Sequence, residues 1–269
     1  MQVVREETMA NKGVVLVAGV GGGLGFGICR RFAAAGYDVA MVSRKQERLE
    51  PLADRINEDG AREGGAREGG ARMGGGGEGG RAHVCPADIR DEDAVEDLFD
   101  RVEAAHGPIA AAVFNTGAQY RKSFLDIPPD LFEKVWRLGC YAGFLVGRAA
   151  ARRMLPRGEG SILFTGATAS IRGSAEFAAF AAAKSGLRAM AQSMARELGP
   201  RGIHVAHVVV DGLIDSPVIR ERFAETIASL PEDGALSPEA IGQSYVDLHH
   251  QHRSAWSFEI DLRPWSENF

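Results

Sequence analysis

Residues 14–35 read VVLVAGVGGGLGFGICRRFAAA, and this stretch decides the fold. A short apolar run, Val14–Ala18, stops in glycines, and a pattern of helical period follows from Leu24 to Ala35. The glycines fall at Gly19, Gly23 and Gly25, a G-x-x-x-G-x-G spacing rather than G-x-G-x-x-G. The physics is the same in both. A tight turn leaves a strand, Gly22 and Gly23 let backbone come close to a pyrophosphate, and the helix opening at Leu24 offers free N–H groups and a positive dipole end. The bland alternative is a simple helix-start turn.

Downstream the same alternation repeats. Val39–Val42 is a second apolar run before the charged helical stretch Lys45–Asn57, and His83–Cys85 reads as a third strand. Asp91–His106 carries Val95, Leu98, Phe99 and Val102 at helical spacing. Ala111–Phe114 is a fourth strand and Asp130–Leu155 holds one or two helices. Ser161–Thr165, the helix Phe177–Leu198 stopped by Gly199-Pro200, and Ile203–Val210 continue the series, and Phe258–Leu262 could add a seventh strand at an edge. Strands alternating with helices imply an α/β fold: a single doubly wound domain over 1–269, its parallel sheet covered on both faces. Residues 60–80 break the pattern. They contain AREGG, AREGG and ARMGG in succession, and half of 61–80 is glycine, so they read as a flexible surface insertion.

Composition narrows the class. A formal net charge of -5 argues against a nucleic-acid partner, because phosphate backbones need clustered Lys and Arg. No apolar run reaches the ~18 residues of a membrane helix, and the polar start from Met1 to Lys12 does not resemble a secretory signal. Cys29, Cys85 and Cys140 are widely spaced and fit a reducing compartment; the expected location is the cytoplasm. His249, His250 and His252 have no Cys or acid at metal-ligand spacing and read as an exposed helix end, with no metal. The second strand ends in Ser43-Arg44, where an NAD site usually has an acid for the ribose hydroxyl. A hydroxyl followed by Arg suits a 2′-phosphate, so NADP is favoured over NAD; otherwise Arg44 is a solvated charge.

Several further stretches resemble the short-chain dehydrogenase/reductase family. Ala87-Asp88-Ile89 resembles its adenine-contacting segment, and Val113-Phe114-Asn115-Thr116-Gly117 its fourth strand end. Ala183-Lys184-Ser185-Gly186-Leu187 resembles the end of its active-site motif, and Asp211–Ser216 its segment beside the nicotinamide. In that last segment Asp211 replaces a proline, while Ser216 keeps the hydroxyl. The resemblance implies cofactor contacts at Gly19, Gly22, Gly23, Leu24, Gly25, Ser43, Arg44, Asp88, Ile89, Asn115, Gly117, Lys184 and Ser216. It also implies a small-molecule substrate and a homodimer or homotetramer.

The proton-handling positions depart from that family. Its Tyr, one helical turn before the Lys, is Phe180, and a phenyl ring has no proton to give. Its Ser falls at Ala167, and its Asn near Gly139 or Cys140. Lys184 survives, and Thr168 or Ser170 is placed to replace the lost Ser, unless Thr168 is merely a strand-end turn residue. The expected activity is therefore an NADP-dependent oxidoreductase with a non-standard proton route. The alternative is a nucleotide-binding regulatory or partner protein without catalysis. Pocket-forming segments, with Ile171, Arg172, Leu213, Ile214, Val218, Ile219 and Phe223, suggest a hydrophobic carbonyl, alcohol or enoyl substrate, and their one Arg suits an anionic group on it. Thr168, Ser170, Tyr141 and Asp215 are the polar groups to look for near the reacting centre.

Overall fold

The computed structural model describes residues 12–65 and 79–267. Its strands are β1 (Val14–Ala18), β2 (Asp38–Val42), β3 (Ala82–Val84), β4 (Ile109–Phe114), β5 (Ser161–Thr165), β6 (His204–Val210) and β7 (Glu259–Leu262). They form one seven-stranded sheet in the order β3-β2-β1-β4-β5-β6-β7, every pairing parallel. The chain reverses its direction of travel across the sheet between β1 and β4, and ligands of such sheets sit at the carboxyl ends near that point.

Side-chain alternation in β1 shows why the sheet is covered twice. Val14, Leu16 and Ala18 face a core completed by α3 (Glu92–His106), α5 (Ala142–Met154) and α6 (Ala178–Leu198). Val15 and Val17 face the opposite layer of α1 (Leu24–Ala34), α2 (Gln46–Gly65) and α9 (Pro238–His249). All five β1 residues are fully buried, so the strand has no polar face to alternate. Asp91 caps α3 by accepting from the Ala94 N–H at 2.9 Å.

Two expectations need amendment. The glycine-rich stretch does not begin outside regular structure, since α2 continues to Gly65; its remaining residues 66–78 lie outside the described ones. Residues 129–154 hold two helices, within the one or two expected. Helix α4 (Pro129–Trp136) runs into α5 through a π-turn at Arg137–Tyr141, which holds both Gly139 and Cys140. His250 and His252 are exposed at the end of α9 as expected, but His249, its last residue, is not. His249 is half-buried, its Nδ1 paired with Ser161 Oγ at 2.9 Å and its Nε2 with the Tyr37 hydroxyl at 3.1 Å. Burial there lowers its pKa to about 4. Two short helices, α7 (Pro217–Arg222) and α8 (Ala224–Ser229), lie between β6 and α9. Among the described residues no helix is long and apolar enough to cross a membrane, and no cluster of three or more His, Cys, Asp or Glu could hold a metal ion.

Candidate active site

The carboxyl ends of β4, β5 and β6 open into a cavity of about 570 Å³. Leu24, Asn115 and Gly117 line it on the glycine-loop side, and Thr168, Phe180, Lys184 and Asp211 line its interior. A smaller cavity of about 280 Å³ lies at the other end of the sheet, where Arg157 is paired to Glu103 and the Ile109 carbonyl and Lys12 to the Ala35 carbonyl. Its cations are already partnered, so the first cavity is the candidate.

The glycine loop fits a dinucleotide phosphate. Gly19 adopts φ +102°, and a Cβ there would come within 2.4 Å of the Asn115 carbonyl oxygen. Its N–H and that of Val20 both donate to the Val42 carbonyl, at 2.9 and 3.0 Å, while Asn115 Nδ2 donates to the Gly19 carbonyl at 3.1 Å. Gly21 and Gly22 face open space. Helix α1 begins behind them with no side-chain cap and no acid in its first turn. Its first N–H groups and dipole are left for an anion. The loop is thus a cradle floored by backbone, which a side chain at Gly19 would close.

Around this loop the expected contacts divide. Ser216 lies against Gly23, where an added Cβ would be 3.1 Å from the Ser216 Cβ, and its hydroxyl caps α7. Arg44 is exposed and Ser43 partly so, and Arg44 lies close enough to help lower the Asp88 pKa. Asp88 is already engaged within the protein. Arg90 donates to it through Nε at 2.8 Å and Nη2 at 2.5 Å, and these hydrogen bonds are the main reason its carboxyl titrates low. Asp88 and Arg90 are both more than a third exposed, so water screens the pair. Ile89 is buried in the core and has only its backbone to offer a nucleotide.

Lys184 is not a surface helix lysine. It is 4% exposed, and its Nζ donates to the Thr165 carbonyl at 2.7 Å and the Thr116 carbonyl at 2.9 Å. Desolvation lowers its pKa to about 8. The Thr116 hydroxyl in turn donates to the Leu138 carbonyl at 3.0 Å, inside the π-turn. Lys184 is therefore held by the ends of two strands, and one of them is tied to the turn that carries Gly139 and Cys140. Gly117 lies against it, its missing Cβ only 3.0 Å from Lys184 Cε and 3.5 Å from the Phe180 ring.

Of the four polar candidates for the reacting centre, only Thr168 lines the cavity. Ser170 is buried beneath it and accepts from the Ala167 N–H at 3.1 Å. Tyr141 stacks on Trp136, and Asp215 is paired with Arg220. Thr168 donates its hydroxyl proton to Asp211, so it is more than a turn residue. Asp211 is 7% exposed, with Arg263 Nη2 3.6 Å from its second oxygen. The sequence marked Asp211 only as a lost proline; a carboxylate at a buried strand end was the signal of a role. Of the expected pocket residues, Arg172 and Ile214 line the cavity, whereas Ile171 and Val218 are exposed.

Behind the cavity lies a network the sequence did not suggest. Glu259 accepts two hydrogen bonds from Arg188, at 2.6 and 2.7 Å, and pairs with His207 Nδ1 at 2.9 Å. His207 is fully buried, and desolvation outweighs the Glu259 carboxylate to bring its pKa to about 4.

Comparison with known proteins agrees with this fold. Residues 13–67 match the family model described as short chain dehydrogenase, and residues 74–255 match the one described as enoyl-(acyl carrier protein) reductase. The 3-oxoacyl-[acyl-carrier-protein] reductase MabA of Mycobacterium avium is 31% identical over 206 residues, 77% of this chain and 69% of that one. A short-chain dehydrogenase from Rhodopseudomonas palustris has a structure that superimposes with a TM-score of 0.75 at 38% identity, over 94% of this chain and 99% of the other. The actinorhodin polyketide ketoreductase, crystallised with NADPH, shares the fold with a TM-score of 0.81 at 21% identity, over 96% of this chain and 98% of its own. The chain belongs to the short-chain dehydrogenase/reductase family. Its relatives are oxidoreductases, and the class of protein is an oxidoreductase built on one parallel sheet.

Proposed function

We propose that this protein is an NADP-dependent oxidoreductase acting on a hydrophobic carbonyl, alcohol or enoyl compound, with a proton route that does not use tyrosine. The observation that carries the reading is Lys184, buried at the wall of the 570 Å³ cavity between the ends of β4 and β5 and facing Gly117. A buried amine with no carboxylate partner is costly, and a ligand that takes up its remaining hydrogen-bonding capacity offsets that cost. In this reading Gly19, Gly22, Gly23, Leu24 and Gly25 hold the pyrophosphate, with Asn115 bracing the loop. Arg44, beside Ser43, meets the 2′-phosphate. Asp88 and Ile89 border the adenine, Gly117 and Lys184 hold the nicotinamide ribose, and Ser216 closes the other side. When bound, the nicotinamide gives or accepts a hydride. The ketoreductase crystal with NADPH agrees in cofactor. The exposed Trp136 and Phe144 on α4 and α5 support a homodimer or homotetramer.

The hydroxyl-free Phe180 and Ala167 favour a second reading, a nucleotide-binding partner protein without turnover. Titration with NADPH and NADH by calorimetry, followed by turnover assays on carbonyl, alcohol and enoyl compounds, separates the two. Preferred NADPH binding with turnover is the expected result. Binding with no turnover on any class supports the second reading, and binding of neither nucleotide overturns both.

A further inference from the structure

A hydroxyl has one proton and two lone pairs, and which of them it turns to a ligand decides what it recognises. In this cavity the Thr168 proton is already given to Asp211 Oδ1, so Thr168 Oγ1 has lone pairs left for a ligand. The other inner polar groups are largely engaged. Asn115 Nδ2 donates to the Gly19 carbonyl, the Thr116 hydroxyl to the Leu138 carbonyl, and the Thr165 hydroxyl pairs with that of Tyr245. Lys184 Nζ donates to the Thr116 and Thr165 carbonyls, and the one proton it has left is the one the cofactor reading gives to the ribose. The remaining lining side chains that can donate, Gln119, Arg172 and Ser174, stand at the exposed rim. Phe180 and Ala167, which line the same wall, offer nothing to a carbonyl oxygen.

We propose that Asp211 sets the polarity of Thr168, so that the site selects a hydrophobic alcohol over the matching ketone and works as a dehydrogenase. An alcohol can donate to Thr168 Oγ1; a ketone has only lone pairs to set against lone pairs. As the alcohol is oxidised its O–H bond breaks and that proton passes to Thr168 Oγ1, while the Thr168 proton passes to Asp211 Oδ1. A bound nicotinamide would supply the acceptor for the hydride, with its electron pair, that the alcohol carbon gives up as it becomes a carbonyl. The proton on Asp211 is lost to water through the cavity mouth after product leaves. Thr168 is the catalytic residue in this scheme. Asp211 is a positioning residue that also takes up the proton, steadied by Arg263 3.6 Å from its other oxygen. The inference rests on the NADP reading above.

Two variants test it in the full-length protein, with 2-octanol and 2-octanone as probes. Ligand-observed NMR measures 2-octanol binding to the NADPH complex and 2-octanone binding to the NADP⁺ complex, pairs that cannot react. T168V is expected to weaken the alcohol about 5–10-fold, the effect of one hydrogen bond to a charge-linked acceptor, and to leave the ketone unchanged. D211N keeps an acceptor oxygen for Thr168 but takes up no proton. It is expected to bind the alcohol within about twofold of the parent and to oxidise it roughly 10²-fold more slowly. Ketone binding weakened as much as alcohol binding in T168V overturns the proposal, as does oxidation by D211N at the parental rate. If these contrasts fail while NADPH still binds, the inference falls and the cofactor reading stands. If NADPH does not bind, both fall.

Discussion

The glycine-loop side and the proton-handling side of one cavity have diverged in opposite directions. On the first, backbone geometry and hydrogen bonds keep what a dinucleotide needs: Gly19 at positive φ, the brace from Asn115, an uncapped α1 and the buried Lys184. On the second, the wall holds Phe180 and Ala167, which have no hydroxyl, and the polar groups there are Thr168 and the buried carboxylate of Asp211. The contrast teaches that binding and proton transfer are separable demands. Phosphate recognition is built into backbone, where one Cβ would block it. Proton transfer depends on side chains that can be exchanged without disturbing the sheet.

The largest expected effect breaks the contrast from the chemical side. Adding hydroxyls in Phe180→Tyr combined with Ala167→Ser should raise ketone reduction by about 10²–10⁴-fold. NADPH affinity, measured by fluorescence titration, should stay unchanged; an unchanged rate would mean the proton is not what limits this site. Lys184→Ala probes the opposite side. It should weaken NADPH binding by about tenfold, as expected for a lost hydrogen bond of a charged group. Intact affinity would remove Lys184 from the cofactor site.

Lys184 also makes a pH prediction. Its pKa is about 8 in the fold against an ordinary value of 10.5, so between those values the unfolded chain binds more protons. Stability should therefore rise from pH 8 towards 10 by this group's contribution, and Lys184→Met should abolish that rise in denaturant titrations. His207 and His249 act at the other end. Both fall to about 4 from 6.5, so the fold resists protonation that the unfolded chain accepts. Stability should drop between pH 6.5 and 4 and level off below, and His207→Gln should flatten part of that slope. The last prediction concerns Arg44. Arg44→Asp should shift the NADP to NAD preference by roughly tenfold in Kd, the worth of one exposed charge-assisted contact. No shift would place Arg44 in solvent.

The strands were legible because each is an uninterrupted apolar run bounded by glycine or charge, and the limits of β1 and β5 coincide with those read from sequence. Lys184 and Thr168 were legible through their place beside recognisable motifs. Asp88 was legible as a position but not in its state, since the sequence does not say that Arg90, two residues on, folds back onto both carboxylate oxygens. His249 was misjudged because its partners, Ser161 and Tyr37, come from elements far from it in the chain.

The sequence by itself determined the alternation of strands and helices, the glycine loop and the absence of a hydroxyl at Phe180. Each of these is a property of a residue or of its near neighbours, through period, backbone freedom or functional group. Tertiary structure alone decided which way the Thr168 hydroxyl points and what Asp211 does. Those two residues lie 43 positions apart, and they meet only because β5 and β6 pair in parallel and end side by side. The polarity of a hydrogen bond belongs to the pair of groups that forms it, and that pair exists only once the sheet has closed.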